Sequence, residues 1–169
     1  MSAEIESAIE AENWPEAGRL IEAQLVHKPQ DHWLLTRLGL TYYEQFDYEL
    51  SLQYAEAALE IAPACPLAMW DCAGALDMLE RYDGAIPLFQ RIISAGDDEI
   101  AFGDCGEGLD WARKLIADCH FRLADCYRKS GNHLVAAENY EMYLKLRASG
   151  WGSIYEESKA VQHLSDCRR

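Results

Sequence analysis

Apolar residues recur along this chain with the spacing of amphipathic helices. Residues 31–62 show the pattern clearly, in two stripes separated by the turn EQFDY and followed by Pro63. The positions of the two stripes step by three or four, and they are Leu35, Leu38, Tyr42, Ser51, Ala55 and Ala58. Because a period of about 3.6 residues places such positions on one helical face, the pattern predicts two helices joined by a short turn. The proline is expected to end the second helix.

The same pattern returns after 34 residues. Aromatic residues follow the turn at Trp14, Tyr48 and Tyr82, and a small residue stands three positions after each of them. A fourth copy, LADCYRKSGNHLVAAENYEMYLKL, is displaced by a further 17 residues. Since one helical hairpin cannot bury both of its faces, a repeat of this length predicts hairpins stacked into a solenoid.

The repeated positions resemble the tetratricopeptide repeat, in which small residues occupy positions 8, 20 and 27, an aromatic residue position 11 and proline position 32. The second repeat has Gly39, Tyr42, Ser51, Ala58 and Pro63 at those places. The fourth repeat departs from the pattern at position 27, where Tyr143 stands. The resemblance implies an all-α fold, a right-handed superhelical array of about four helical hairpins (a TPR-like α-solenoid) with a C-terminal capping helix.

We expect one domain over residues 1–169, with repeats at about 1–30, 31–64, 65–94 and 110–148. Residues 94–110 contain acids and glycines but no base, break the period and are predicted to form a loop. Their acids do not favour a calcium site, because DDEIAFGDCGEG has Ala101 and Phe102 at positions five and six, where an EF-hand loop needs an oxygen donor and a glycine. Residues 153–166 carry one apolar stripe, which predicts the capping helix.

The charge of the chain narrows its possible partners. Its 29 acids and 15 bases give a formal net charge of −14, which repels phosphate backbones and anionic lipids. We therefore expect no nucleic acid and no membrane partner. No apolar run approaches the roughly 18 residues of a membrane span, and MSAEIESAIEAEN lacks the basic and apolar regions of a signal peptide. The expectation is a cytoplasmic protein, as a monomer or weak dimer.

No residue pattern indicates catalysis, a metal or a cofactor. The six cysteines form no CxxC pair, and the histidines show no metal-ligand spacing. Asp118, Cys119 and His120 are adjacent, but consecutive helix residues point about 100° apart and do not meet as a nucleophile and its base must. We expect Cys119 in the core and His120 half-buried. A thiol-based enzyme or sensor using Cys105 is the alternative in this class.

The resemblance also implies a ligand groove, lined by positions 2, 5, 9, 12 and 13 of each repeat. These positions supply the candidate peptide-binding residues, with Trp33 and Tyr43 as anchors. The predicted groove residues are Trp33, Thr36, Leu40, Tyr43, Asp71, Ala75, Met78, Phe121, Arg122, Asp125 and Arg128. The alternative is that the acidic segment or the chain's own C-terminal helix covers this strip.

These observations favour a non-catalytic protein–protein interaction module or adaptor that binds a peptide or protein segment in its groove. The clamp that some family members use for chaperone C-termini is not expected, because Arg122 alone matches its basic positions. A bacterial type III secretion chaperone for a translocator is a narrower alternative. A structural protein that assembles through its terminal hairpin is a further one.

Overall fold

The helices of the chain follow the predicted order. The computed structural model describes residues 3–169, and within that range it contains nine α-helices and no strand. The helices are α1 (Ala3–Glu10), α2 (Trp14–Leu25), α3 (His32–Glu44), α4 (Tyr48–Ile61), α5 (Pro66–Met78), α6 (Tyr82–Phe102), α7 (Leu109–Lys129), α8 (His133–Ala148) and α9 (Glu157–Cys167). The all-α prediction is confirmed. Within the described range, no helix is long and apolar enough to cross a bilayer.

The helices form two compact units. The N-terminal unit, Met1–Glu80, contains α1 to α5, and the C-terminal unit, Arg81–Arg169, contains α6 to α9. The division falls inside the predicted third repeat, between α5 and α6. The predicted repeat boundaries and the single domain stay predictions, and each unit is described below by itself.

The short turns between helices share one backbone conformation. Glu12, Phe46 and Glu80 have φ values of 53°, 64° and 59°, and Gly131 has a φ of 86°. The first three are spaced by 34 residues and the fourth follows after 51, which is the spacing found in the sequence. The left-handed conformation reverses the chain in a minimal number of residues. The repeat period is therefore visible in the backbone as well as in the side chains.

The residue after each of these turns precedes a helix. Asp47 accepts a hydrogen bond from the backbone N–H of Leu50 at 3.2 Å, and Asn132 accepts one from Val135 at 3.4 Å. Such caps satisfy backbone donors that the first helical turn leaves unpaired. Asp31 caps α3 in the same way. The starts of α3, α4 and α8 are thus encoded locally, by a short polar residue ahead of an apolar stripe.

In the N-terminal unit, α3 packs closely against α4. A side-chain carbon on Gly39 would lie 3.3 Å from the backbone oxygen of Ser51 and 3.6 Å from the backbone nitrogen of Ala55. The absent side chain at Gly39 allows this approach, as the small residues of the repeat pattern predict. Ile5, Ile21 and Leu38 are fully buried and belong to one core cluster of this unit.

In the C-terminal unit, one core cluster is formed by α7, α8 and α9. Buried residues from all three helices pack into one cluster, and its largest side chains are Phe121, Tyr140, Tyr143 and Leu164. The long opening helix predicted from about residue 110 is confirmed as α7, which has 21 residues. The hairpin of α7 and α8 is closed by α9, so the prediction of a terminal capping helix is also confirmed.

Two predicted boundaries were wrong. Residues 94–110 are not a loop throughout, because α6 continues to Phe102 after a kink at Gly96, where φ is 79° and ψ is 165°. Ile100 and Ala101 are buried and Asp97 pairs with Arg113 at 2.9 Å, which stabilises this extra helical segment. The capping helix begins at Glu157 rather than at residue 153, since the preceding residues bind α7 in an irregular conformation.

Candidate functional site

The predicted groove residues of α3 lie beside its packing face. Leu34 and Leu38 enter the core, whereas Trp33, Leu40 and Tyr43 are partly exposed. The Trp33 ring lies 5.6 Å from the ring of His32. The Tyr43 ring makes an edge contact with Tyr48 at 5.3 Å, so it is partly structural.

Thr36 and the three predicted residues of α5 differ in exposure. Thr36 is buried, and its hydroxyl donates to the backbone oxygen of His32 at 2.7 Å. Ala75 is also buried, whereas Met78 is 41% exposed. Burial raises the pKa of Asp71 to about 7, and the charge of Arg37 opposes that shift. The Nε of Arg37 finds no hydrogen-bond partner within residues 3–169. The α3 and α5 positions therefore combine apolar surface with the carboxyl of Asp71, and the nearby Arg37 has one unsatisfied nitrogen.

In the C-terminal unit, the predicted groove position Phe121 is covered by the chain itself. Phe121 is 1% exposed, and the ring of Tyr155 stacks on it with a centroid distance of 4.2 Å and an interplanar angle of 8°. Arg122 donates to the Tyr155 hydroxyl at 3.4 Å, and its guanidinium lies 5.8 Å from the Phe89 ring. Tyr155 belongs to the short connection between α8 and α9. We call Trp151–Tyr155 the strap.

Asp118 binds the middle of the strap. Its carboxylate accepts hydrogen bonds from the Ser153 hydroxyl and from the backbone N–H of Ile154, the latter at 3.1 Å. Burial raises the pKa of Asp118 to about 6, although the hydrogen bonds from Ser153 and Ile154 favour the charged form. The Tyr143 hydroxyl donates to the backbone oxygen of Tyr155 at 2.6 Å. Main-chain and side-chain groups of the strap are thus both recognised.

Asp125 and Arg128 join a polar cluster under α9. Arg128 donates to Asp125 at 3.0 Å, the Tyr140 hydroxyl also donates to Asp125, and His163 Nδ1 lies 3.0 Å from that hydroxyl. Burial opposes ionisation of Asp125, but the hydrogen bonds from Tyr140 and Arg128 outweigh it and hold its pKa below the usual value. This cluster connects α7, α8 and α9, so its first role is to hold the capping helix.

Ser153, Tyr155 and His163 were not predicted as partners of the strip. The C-terminal helix was one predicted alternative for covering the strip, and in this unit the strap covers Phe121 together with α9. One signal was available in Tyr143, an aromatic residue where the repeat has a small one. Its hydroxyl reaches Ser153 Oγ at 3.2 Å as well as the Tyr155 carbonyl, so this departure from the repeat pattern serves the strap.

The residues examined for catalysis have structural surroundings. Cys119 is fully buried, and burial raises the pKa of its thiol. His120 Nδ1 lies 3.1 Å from the side-chain oxygen of Asn139, and burial lowers the pKa of the imidazole. These are the positions expected for both residues. Cys105 is buried, and burial also raises the pKa of the partly exposed Cys167. Reactive thiolates require the opposite shift, so the surroundings of Cys119 and Cys167 do not favour thiol chemistry.

Known proteins share this architecture. A family model described as tetratricopeptide repeat matches residues 36–100. Residues 36–100 therefore carry tetratricopeptide repeat sequence. A solved structure described as "Crystal structure of MamA" is similar to this chain with a TM-score of 0.70 and 17% identity, over 99% of this chain and 94% of that one. "MamA 41-end from Desulfovibrio magneticus RS-1" gives a TM-score of 0.70 at 14% identity, over 97% and 89% of the two chains. At these identities the likeness establishes the fold. No curated protein matches in sequence.

Proposed function

We propose that the chain is a non-catalytic interaction module that binds a peptide or protein segment on the inner strip of its N-terminal unit, defined by Trp33, Leu40, Tyr43, Asp71 and Met78. The observation that carries the proposal is the division of α3 into two apolar faces. Leu34 and Leu38 are buried in the core, while Trp33 and Leu40 stay partly exposed. Apolar side chains that the core does not use, on a repeat fold, favour a protein ligand.

The strip offers both anchors and orienting groups. Trp33 and Met78 supply apolar area, and large aromatic side chains dominate the energy of many interfaces. The carboxyl of the partly exposed Asp71 supplies a polar group for the bound segment. A formal charge of −14 attracts basic partners and accelerates their association at low salt. The proposed ligand is therefore an apolar segment with neighbouring basic residues.

Each alternative function implies a different partner or a different chemistry. A type III secretion chaperone would hold a membrane-inserting translocator, which is a narrower version of the same interaction. A thiol-based enzyme or sensor receives no support from the buried Cys105 and Cys119. A cytoplasmic location and the absence of nucleic acid or membrane partners remain part of the proposal.

The test compares capture by the wild-type chain and by Trp33→Ala from a lysate of the source organism, with bound proteins identified by mass spectrometry. Phe46→Ala is the matched control, because Phe46 is an exposed aromatic residue outside the strip, with 78% of its surface accessible. We expect a protein that is held by the wild type and by Phe46→Ala and lost by Trp33→Ala. Calorimetry with the purified partner should then show a loss of affinity of about tenfold or more.

Tyr43 is left unchanged in this test, since its contact with Tyr48 is part of the hairpin. Equal capture by all three chains would contradict the proposed strip. Unfolding of Trp33→Ala, measured by circular dichroism, would contradict it as well, because Trp33 would then belong to the core.

A further inference from the structure

The strap contacts α7 in the way that a bound peptide contacts a groove. Its main chain donates through Ile154 N–H to Asp118 and accepts through the Tyr155 carbonyl from Tyr143. Two of its side chains are specifically bound, since Ser153 donates to Asp118 and Tyr155 stacks on Phe121. Peptide recognition commonly combines main-chain hydrogen bonds with pockets for chosen side chains.

The contacts define which side chains matter. Ile154 lies between the two bound side chains, yet 60% of its surface is exposed and its hydrogen bond to Asp118 is made by the backbone N–H. The position between the hydroxyl and the aromatic residue therefore accepts any side chain that leaves the backbone N–H in place. The recognised pattern is a hydroxyl residue, any residue except proline, and an aromatic residue that can stack on Phe121.

The capping helix has contacts of its own in addition to those that it shares with the strap. Ala160 and Leu164 of α9 are buried in the core cluster, and Arg168 pairs with Glu141 of α8. The strap itself is irregular and is bounded by Gly150 on one side and Glu156 on the other. Tyr155 also packs against that cluster, so release of the strap exposes part of the core. A partner segment must therefore replace the hydrogen bonds to Asp118 and the stack on Phe121.

We propose that the inner strip of α7, formed by Asp118 and Phe121, binds an extended protein segment with a hydroxyl residue two positions before an aromatic residue, and that the strap occupies this site as an internal competitor. The inference rests on the proposed function, because it assigns a second segment-binding strip to an interaction module. A tethered competitor acts at an effective concentration in the millimolar range, so a partner segment must bind more tightly than the strap or meet a chain in which the strap is weakened.

The experiment adds the strap sequence in trans. A fluorescein-labelled peptide of residues 150–157, GWGSIYEE, is titrated with the full-length wild type and with full-length Tyr155→Ala, and fluorescence anisotropy reports binding. Tyr155→Ala removes the internal competitor's aromatic ring and leaves Phe121 and Asp118 unchanged. We expect the variant to bind the peptide about tenfold more tightly than the wild type does, or better. Ser153→Ala is the second variant, and it carries the test if circular dichroism shows that Tyr155→Ala has lost helix content.

Substituted peptides test which side chains of the strap the site recognises. The peptide with Ile154→Ala should bind the opened chain as the parent peptide does, whereas the peptides with Ser153→Ala and with Tyr155→Ala should bind at least several times more weakly. The inference is overturned if neither opened chain binds the peptide at millimolar concentration, or if binding ignores the serine and the tyrosine. The capture experiment with Trp33→Ala uses a different strip, so failure of this inference and failure of the proposed function are distinguishable.

Discussion

Replacing Asp118 by asparagine should remove part of the dependence of the chain's stability on pH. The side chain is 4% exposed, and it is held by donors from Ser153 and Ile154. Two effects oppose each other at this carboxyl. Burial favours the neutral acid, the two hydrogen bonds favour the carboxylate, and burial prevails by raising the pKa from 3.8 to about 6.

The direction of the pH dependence follows from the difference in the pKa of Asp118 between the folded and the unfolded chain. Because the pKa is higher in the folded chain than in the unfolded chain, the folded chain binds a proton more tightly. The stabilising contribution is fully present below the unfolded pKa of 3.8 and is lost as the pH rises through about 6. Between pH 7.5 and pH 5 the two pKa values give the wild type about 1.4 kcal/mol of additional stability, a gain that Asp118→Asn should lack.

The assay is urea unfolding of both chains at several values between pH 7.5 and pH 5. Two other groups also change the stability on acidification. Asp71, whose pKa burial raises to about 7, increases the free energy of unfolding, and His120, whose pKa burial lowers, decreases it. Both contributions cancel in the difference between wild type and variant. Asp110→Asn, at the exposed start of α7, controls for the removal of one negative charge. If the free energy of unfolding depends on pH equally in the wild type and in Asp118→Asn, burial does not raise the pKa of Asp118. A wild type that becomes less stable relative to the variant in acid would refute that claim as well.

Three further results follow from the backbone and the core. Glu80→Gly should stabilise the chain by about 0.5–1 kcal/mol and Gly131→Ala should destabilise it by about 1 kcal/mol in urea unfolding, because both residues have positive φ; opposite signs would contradict this account. Gly39→Leu should destabilise by about 1–3 kcal/mol or more, since even one added carbon lies 3.3 Å from the Ser51 carbonyl, and an unchanged unfolding midpoint would contradict that packing. In thiol labelling of the native chain, Cys167 should react before the five buried cysteines, and a fast Cys105 would revive the thiol-sensor alternative.

The hairpins could be predicted because their determinants are local. Gly39 and Ser51 lie 12 positions apart, and the turn with Phe46 between them fixes how the two helices meet. A cap such as Asp47 acts on the backbone three residues later. The turn between two helices recurs with each repeat, so one sequence shows it four times. The helix order and the small residues at close contacts were therefore accessible without a structure.

The strap and the extension of α6 depend on distant residues. Ser153 and Asp118 are 35 positions apart, and neither carries a repeat signature that predicts their contact. Serine and glycine before a helix are also typical of an ordinary linker. The helical phase predicts Phe121 on the inner strip, but periodicity does not tell whether water, a partner or the chain itself covers that face. Tertiary contacts determine what covers that face.

The two strips lead to different experiments because they differ in what satisfies them. In the N-terminal unit, Trp33 and Met78 retain accessible apolar surface, and Arg37 Nε lacks a partner within the described residues. In the C-terminal unit, Phe121 and Asp118 are already satisfied by the strap. A ligand of the first strip gains binding free energy by burying exposed apolar groups. A ligand of the second strip must instead replace the contacts that the strap already makes with Phe121 and Asp118. Binding at the second strip is therefore governed by the stability of the strap, and mutations in Ser153 or Tyr155 should change it more than mutations that only alter net charge.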